Sequence, residues 1–274
     1  MDFKDNVALV TGSGRGIGRA IALRLAELGA DVGINFFRNR EPAEETAEVI
    51  RSKGRRSETF RANVGELDEV NALVDGVVDT FGGLDILVCN AAMGYNRPIM
   101  EQRPKGWQWS MNVNARSALF AAKRAAPTMK SRGGGSIVNI SSPGAVRVIP
   151  DYSVVGASKA ALEALTRYLA VELAPMGISA NAVSPGVVDT EALQHFAATS
   201  DPELLDRAAD RTPAGRLVTP EDVANLVAFL CSPKAAMIRG QVIVMDGGYT
   251  LPLEGVHWDP DERRARGSQS DPSS

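Results

Sequence analysis

The chain has 274 residues, 44% of them hydrophobic, enough for one sizeable core. Its net charge of −3 is spread along the chain with no basic block, which speaks against a nucleic-acid partner. Two cysteines, Cys89 and Cys231, are too few for a disulfide framework and predict reduced thiols in a cytoplasmic protein; the first residues lack a signal-peptide pattern, and no apolar run approaches the ~20 residues of a membrane span.

Residues 7–10, VALV, read as a buried strand that runs straight into TGSGRGIGRA. A strand, a glycine-rich turn and a helix in this order predict the phosphate-binding turn of a dinucleotide fold. Gly12, Gly14, Gly16 and Gly18 allow a tight turn and close backbone approach, with Ser13, Arg15 and Ile17 between them. The helix that follows presents free N–H groups at its start and carries an apolar stripe at Ile17, Ile21, Leu25 and Leu28. A second strand spans 31–37. An NAD-preferring fold places Asp or Glu at its end, but here the chain reads Asn35-Phe36-Phe37-Arg38-Asn39-Arg40. Guanidinium groups at Arg38 and Arg40, with Arg15 in the turn, suit a dianionic 2′-phosphate, so NADPH is the expected cofactor. The alternative is that Arg38 and Arg40 are ordinary solvated loop charges.

A helix at 42–52, a strand at 57–62 ending in Asn63-Val64, a helix at 66–81 and a strand at 84–88 come next. That strand runs into Cys89-Asn90-Ala91-Ala92, small residues at the strand edge where such folds bind ligands. A long helix is expected over 106–132, broken by three glycines, then a strand at 136–140. After the central helix come a strand at 178–183, Ser184-Pro185-Gly186, a helix at 220–231 and a strand at 241–245. Strands and helices alternate with crossovers long enough for parallel units. The prediction is one α/β, doubly wound Rossmann-type domain over 1–252 with a parallel sheet of about seven strands. Residues 190–216 read as a lid with Leu193, Phe196, Leu204 and Leu205 on its apolar side. Residues 253–274 are polar, without apolar periodicity, and read as a disordered tail. His195 and His257 are isolated, and no residue cluster has metal-ligand spacing.

The stretch 141–172 holds Ser142, then Tyr152, then Lys159 seven residues later. On one helix, Tyr152 and Lys159 share a face ~10 Å apart along the axis. A nearby ammonium eases ionisation of a phenol, and Ser142 from a strand end could share the same substrate oxygen, an arrangement suited to proton delivery as hydride arrives at carbon. The plainer alternative makes Tyr152 a packing residue and Lys159 an i,i+4 surface partner of Glu163.

The TGSGRGIG turn, Asn90-Ala91, Asn114, the Ser142/Tyr152/Lys159 stretch and Pro185-Gly186 together resemble the short-chain dehydrogenase/reductase family, in family order over about residues 5–250. The resemblance implies a Rossmann-type fold, a nicotinamide cofactor and a homotetramer. It carries cofactor contacts to Gly12, Ser13, Gly14, Arg15, Gly16, Ile17, Gly18, Arg38, Asn39, Asn63, Val64, Asn90, Ala91, Lys159, Pro185, Gly186, Val188 and Thr190. It implies catalytic roles for Tyr152, Lys159, Ser142 and Asn114, with Lys159 on the nicotinamide ribose. Asn63 stands where the family has Asp, and Cys89 and Ala92 where it has Asn and Gly. Most members carry Tyr four residues before the Lys; here that position is Val155. The Tyr-x6-Lys spacing, with YSVVGASKAALEALTRYLAVELAP, DTEALQHF and TPAGRL, closely resembles the type III, NADPH-dependent bacterial enoyl reductases. That likeness implies reduction of a trans-2-enoyl thioester carried by an acyl carrier protein or coenzyme A. A ketoreductase or alcohol dehydrogenase is the alternative, and a non-catalytic NADP(H) sensor a third reading. Three residues of helix displace an attachment point by ~4.5 Å, in keeping with a donor that follows the thioester oxygen rather than a carbonyl beside the hydride acceptor.

Overall fold

A computed structural model describes residues 1–190, 193 and 204–252. Seven parallel strands form one sheet: β1 Val7–Val10, β2 Asp31–Phe36, β3 Ser57–Arg61, β4 Ile86–Cys89, β5 Gly135–Ile140, β6 Ile178–Pro185 and β7 Val242–Met245. Their spatial order is β3-β2-β1-β4-β5-β6-β7, so the order in which strands are added reverses between β1 and β4. In open α/β sheets that reversal opens a crevice beyond the strand ends, and ligands bind there.

Strand side chains alternate between two helical layers. In β1, Ala8 and Val10 enter one core with α1 (Gly16–Glu27) and α2 (Arg40–Ser52); Val7 and Leu9 enter the other with α3 (Leu67–Phe81). The second core also takes residues of α5 (Ser117–Ser131) and α6 (Ser153–Glu172). Both faces of β1 are therefore dry, which is why it reads as a continuous apolar run rather than an alternating one. Helix α7 (Leu204–Asp210) follows, and α8 (Pro220–Cys231) joins the first core. The start of α8 is fixed by a reciprocal cap: the Asp222 N–H donates to Thr219 Oγ1, and the Thr219 N–H to Asp222 Oδ2.

The expected helix over 106–132 is two helices. α4 (Pro104–Met111) passes into a π-helical turn, Asn112–Arg116, before α5 begins. The Asn114 amide, at the centre of that turn, bonds to both backbone groups of Met93, which offsets the loosened helix ladder. Such a contact has no signature in helix periodicity. β2 stops at Phe36 rather than residue 37, and β4 runs through Cys89. Val188 pairs with Val218 in an isolated parallel bridge, so the residues flanking the expected lid are tied together. Within the lid, Phe196 lies outside the described residues, as do His195, His257 and the whole tail 253–274. Among the described residues no helix is long and apolar enough to cross a membrane, and no cluster of His, Cys, Asp and Glu could hold a metal.

Candidate active site

The glycine turn, the ends of β2, β3 and β4, and Thr190 surround a cleft of about 600 Å³. Of the expected cofactor residues, Gly12, Gly14, Arg15, Gly16, Ile17, Gly18, Arg38, Asn39, Asn63, Val64, Asn90, Ala91 and Thr190 line it. Gly12 and Gly16 hold φ of 62° and 56°, the left-handed region that glycine enters at no steric cost. A Cβ on Gly18 would overlap the Gly12 carbonyl oxygen and the Asn90 amide nitrogen. Arg15 stands at the N-cap of α1 and offers no side-chain cap, which leaves the first N–H groups of the helix for an anion. Asn90 ties β4 to the turn, its amide donating to the carbonyls of Thr11 and Gly12 at 3.0 Å each. Thr11, unremarked in the sequence, accepts from the N–H groups of both Asn90 and Ala91 through its hydroxyl.

Five expected cofactor residues stand away from this wall: Ser13, Lys159, Pro185, Gly186 and Val188. Ser13 is fully buried; its hydroxyl donates to Val10 and accepts from the Asn35 N–H, so it braces the turn from behind. Pro185 closes β6, Gly186 packs on Asp246 and Val188 is buried. Beside the cleft a second hollow is lined by Phe36, Phe37, Arg38, Arg40 and Arg61. Arg38 lies over the Phe37 ring, and Arg40 reaches Glu44 at 3.6 Å. Arg61, at the end of β3, donates to the Phe37 carbonyl at 3.3 Å and joins two strand ends; it was not among the expected residues, because its neighbours come from a different strand.

Tyr152 lies outside α6. It is the N-cap residue, and the helix begins at Ser153. The reason is Asp151, whose φ of 62° turns the chain sharply and whose carbonyl accepts from the Arg97 N–H. Aspartate is one of the few residues that tolerates this conformation, and its position before the tyrosine is the signal sequence reasoning missed. The Tyr152 ring packs over Gly144, where a Cβ would come within 2.6 Å of it. Burial pushes the Tyr152 phenol above its ordinary value, and the Ser142 hydroxyl beside it pulls the other way. The expected lowering of this phenol by Lys159 is therefore not what governs it. Val155 is buried against Gly94.

Lys159 is buried too, and its Nζ donates to the Ile140 carbonyl at 2.7 Å. Burial lowers its ammonium to about 8, against the opposing pull of Cys89 and Glu163. Neither Lys159 nor Glu163 is a surface residue, so the plain i,i+4 surface pair does not describe them. Asn114 is also buried, and its amide donates to Ser158 Oγ and the Met93 carbonyl, each at 2.8 Å. All its polar atoms serve the scaffold: it ties α6 to the cleft wall at Met93 and does not itself line the cleft.

A family model described as Enoyl-(Acyl carrier protein) reductase matches residues 12–250, which takes in the cleft-lining glycines from Gly12 on and Ser142, Tyr152 and Lys159. The chain belongs to the short-chain dehydrogenase/reductase family. It is similar to 1-cyclohexenylcarbonyl-CoA reductase from Streptomyces collinus, 38% identical over 89% of this chain and 87% of the relative. It is similar also to a 3-oxoacyl-(acyl-carrier-protein) reductase from Staphylococcus aureus, 39% identical over 88% and 96%. Among solved structures, a 7α-hydroxysteroid dehydrogenase complexed with NADH and 7-oxo glycochenodeoxycholic acid superposes with a TM-score of 0.86, at 31% identity over 92% of this chain and 97% of that one. This short-chain dehydrogenase/reductase is thus an oxidoreductase of Rossmann-type fold whose relatives include both enoyl-type and keto-type reductases.

Proposed function

We propose that this protein reduces the carbon–carbon double bond of a trans-2-enoyl thioester with NADPH. The observation that carries the reading is the place of the phenol. Residue 155 is a buried valine, and the phenol beside Ser142 belongs to Tyr152, at the mouth of α6. The residues fit a dinucleotide: the glycine turn lines an open cleft, the start of α1 is uncapped, and arginines stand at the β2 end. Gly12, Gly14, Gly16, Asn90 and Thr190 would hold it, with Arg38 and Arg40 at a 2′-phosphate and Lys159 at a ribose. When bound there, the cofactor supplies hydride to the β-carbon.

The remaining work falls to this chain's own side chains. Hydride at the β-carbon leaves negative charge on the thioester oxygen. Tyr152, kept protonated by burial, donates a hydrogen bond or its proton to that oxygen. Ser142 orients the phenol from the strand end. Lys159, held by Ile140, has two further N–H donors to give. The acyl group arrives on coenzyme A or an acyl carrier protein, as the names of the relatives suggest. A ketoreductase is the second reading, favoured by the 39% identity to the Staphylococcus aureus enzyme.

Tyr152→Phe tests the assignment, because it removes one hydroxyl and leaves the ring over Gly144. NADPH binding and the melting temperature are expected to stay near wild type while kcat for an enoyl thioester falls ~10²-fold or more. Adding Val155→Tyr to that variant is expected not to restore turnover. The new ring would press into the Gly94 loop, one helical turn before Lys159. Near-normal enoyl turnover in folded Tyr152→Phe would move the donor role to Ser142 or a water.

A further inference from the structure

One buried carboxylate has no part in the scheme above. α6 carries Lys159 and Glu163 one helical turn apart, and both reach the C-terminal end of β5. Lys159 Nζ donates to the Ile140 carbonyl at 2.7 Å, and Ser141 Oγ donates to Glu163 Oε1 at 2.6 Å. The N–H of Ser141 donates to the Val183 carbonyl on β6, so both donors of this serine are committed. The next residue in the chain is Ser142, the hydroxyl beside Tyr152. Glu163 is 7% exposed. A carboxylate so deep is costly unless it is paired and hydrogen-bonded, and an apolar residue of similar size would fill the space without that cost. Its charge therefore calls for an explanation that packing does not supply.

We propose that Glu163 is a positioning residue of the active site: through Ser141 it holds Ser142 beside Tyr152, and it sets a carboxylate against the Lys159 ammonium. The inference rests on the Ser142, Tyr152 and Lys159 site described above, and not on which thioester that site reduces. Two titratable groups act on Lys159: Cys89 from the end of β4 and Glu163 from its own helix. Burial pushes the Cys89 thiol up to about 12, so it stays neutral at working pH, and the group to test is the Glu163 carboxyl on the same helix. Burial lowers Lys159 to about 8, and Glu163 works against that fall. Removing the carboxylate lowers Lys159 further, so the lysine loses its proton at a lower pH.

The test compares E163Q, E163D and S141A in the full chain. Each is measured with whichever thioester the wild-type protein reduces, and by fluorescence titration of NADPH binding, across neutral and alkaline pH. In E163Q, which keeps an acceptor for Ser141, the alkaline limbs of kcat/KM and of NADPH binding are expected to move to lower pH by about one unit. E163D, which keeps the charge, is expected to return both limbs toward wild type. S141A is expected to leave the limbs in place and lower kcat about tenfold with little change in KM. Limbs unmoved in E163Q overturn the electrostatic part, and wild-type kcat in S141A overturns the positioning part. Lower melting temperatures with unchanged kcat, KM and pH limbs make Glu163 a scaffold residue and overturn both. If E163Q does not fold, S141A decides the positioning part and E163N, a shorter neutral side chain, takes the place of E163Q for the pH limbs. Full turnover by Tyr152→Phe is a different failure, that of the site assignment.

Discussion

Tyr152 and Lys159 are pushed in opposite directions by one cause. Burial disfavours whichever form is charged, so the phenol holds its proton more tightly and the ammonium more loosely. A phenol that keeps its proton is a donor rather than a base, which suits the reductive direction. Arg38 and Arg40, beyond the β2 end, are exposed. Losing a charge-assisted bond to a 2′-phosphate is worth ~1.5–3 kcal/mol, so Arg38→Ala is expected to raise the KM for NADPH roughly tenfold or more and to leave that for NADH nearly unchanged. Steady-state kinetics with both cofactors checks this, and equal effects would make Arg38 an ordinary loop charge and direct attention to Arg61. Tyr152, Lys159 and Ser142 were legible as residue types at a telling spacing. Their environments were not, because burial and the Asp151 turn depend on Gly144, Gly94 and Arg97, which come from other segments.

At the scale of elements, the glycine turn is the part sequence describes best. Its conformation is imposed locally, by positive φ at Gly12 and Gly16 and by close approach at Gly18. Gly18→Ala is expected to destabilise the protein by about 1–3 kcal/mol, because the atoms it meets are a backbone carbonyl and an amide already bonded to that carbonyl. Thermal melts and NADPH titration read the two consequences, and an unchanged melting temperature with full binding would mean that the turn yields more easily than its packing implies. The π-helical turn at Asn112–Arg116 is the opposite case. Apolar periodicity continues through it, and only the Asn114 contacts with Met93 and Ser158 reveal why the helix widens there. The Glu163 contact with Ser141 was hidden for the same reason, since an i,i+4 pair on a helix looks alike whether it faces water or a strand end.

For the whole molecule, seven strands alternate with helices, and the buried β1 and β4 are apolar runs, so the doubly wound class follows from pattern. The reaction does not follow from the fold. Relatives of this chain are named for enoyl-type and for keto-type reduction alike, and the proposed enoyl reading is carried by a phenol at Tyr152 in place of one at residue 155. The most direct measurement is NADPH consumption by the wild-type protein with a crotonyl thioester and, in parallel, an acetoacetyl thioester, each repeated with NADH. Oxidation of NADPH is expected with the crotonyl substrate, little or none with the acetoacetyl substrate, and slower rates with NADH. Turnover of the acetoacetyl thioester without the crotonyl one would contradict the enoyl reading and make the protein a ketoreductase.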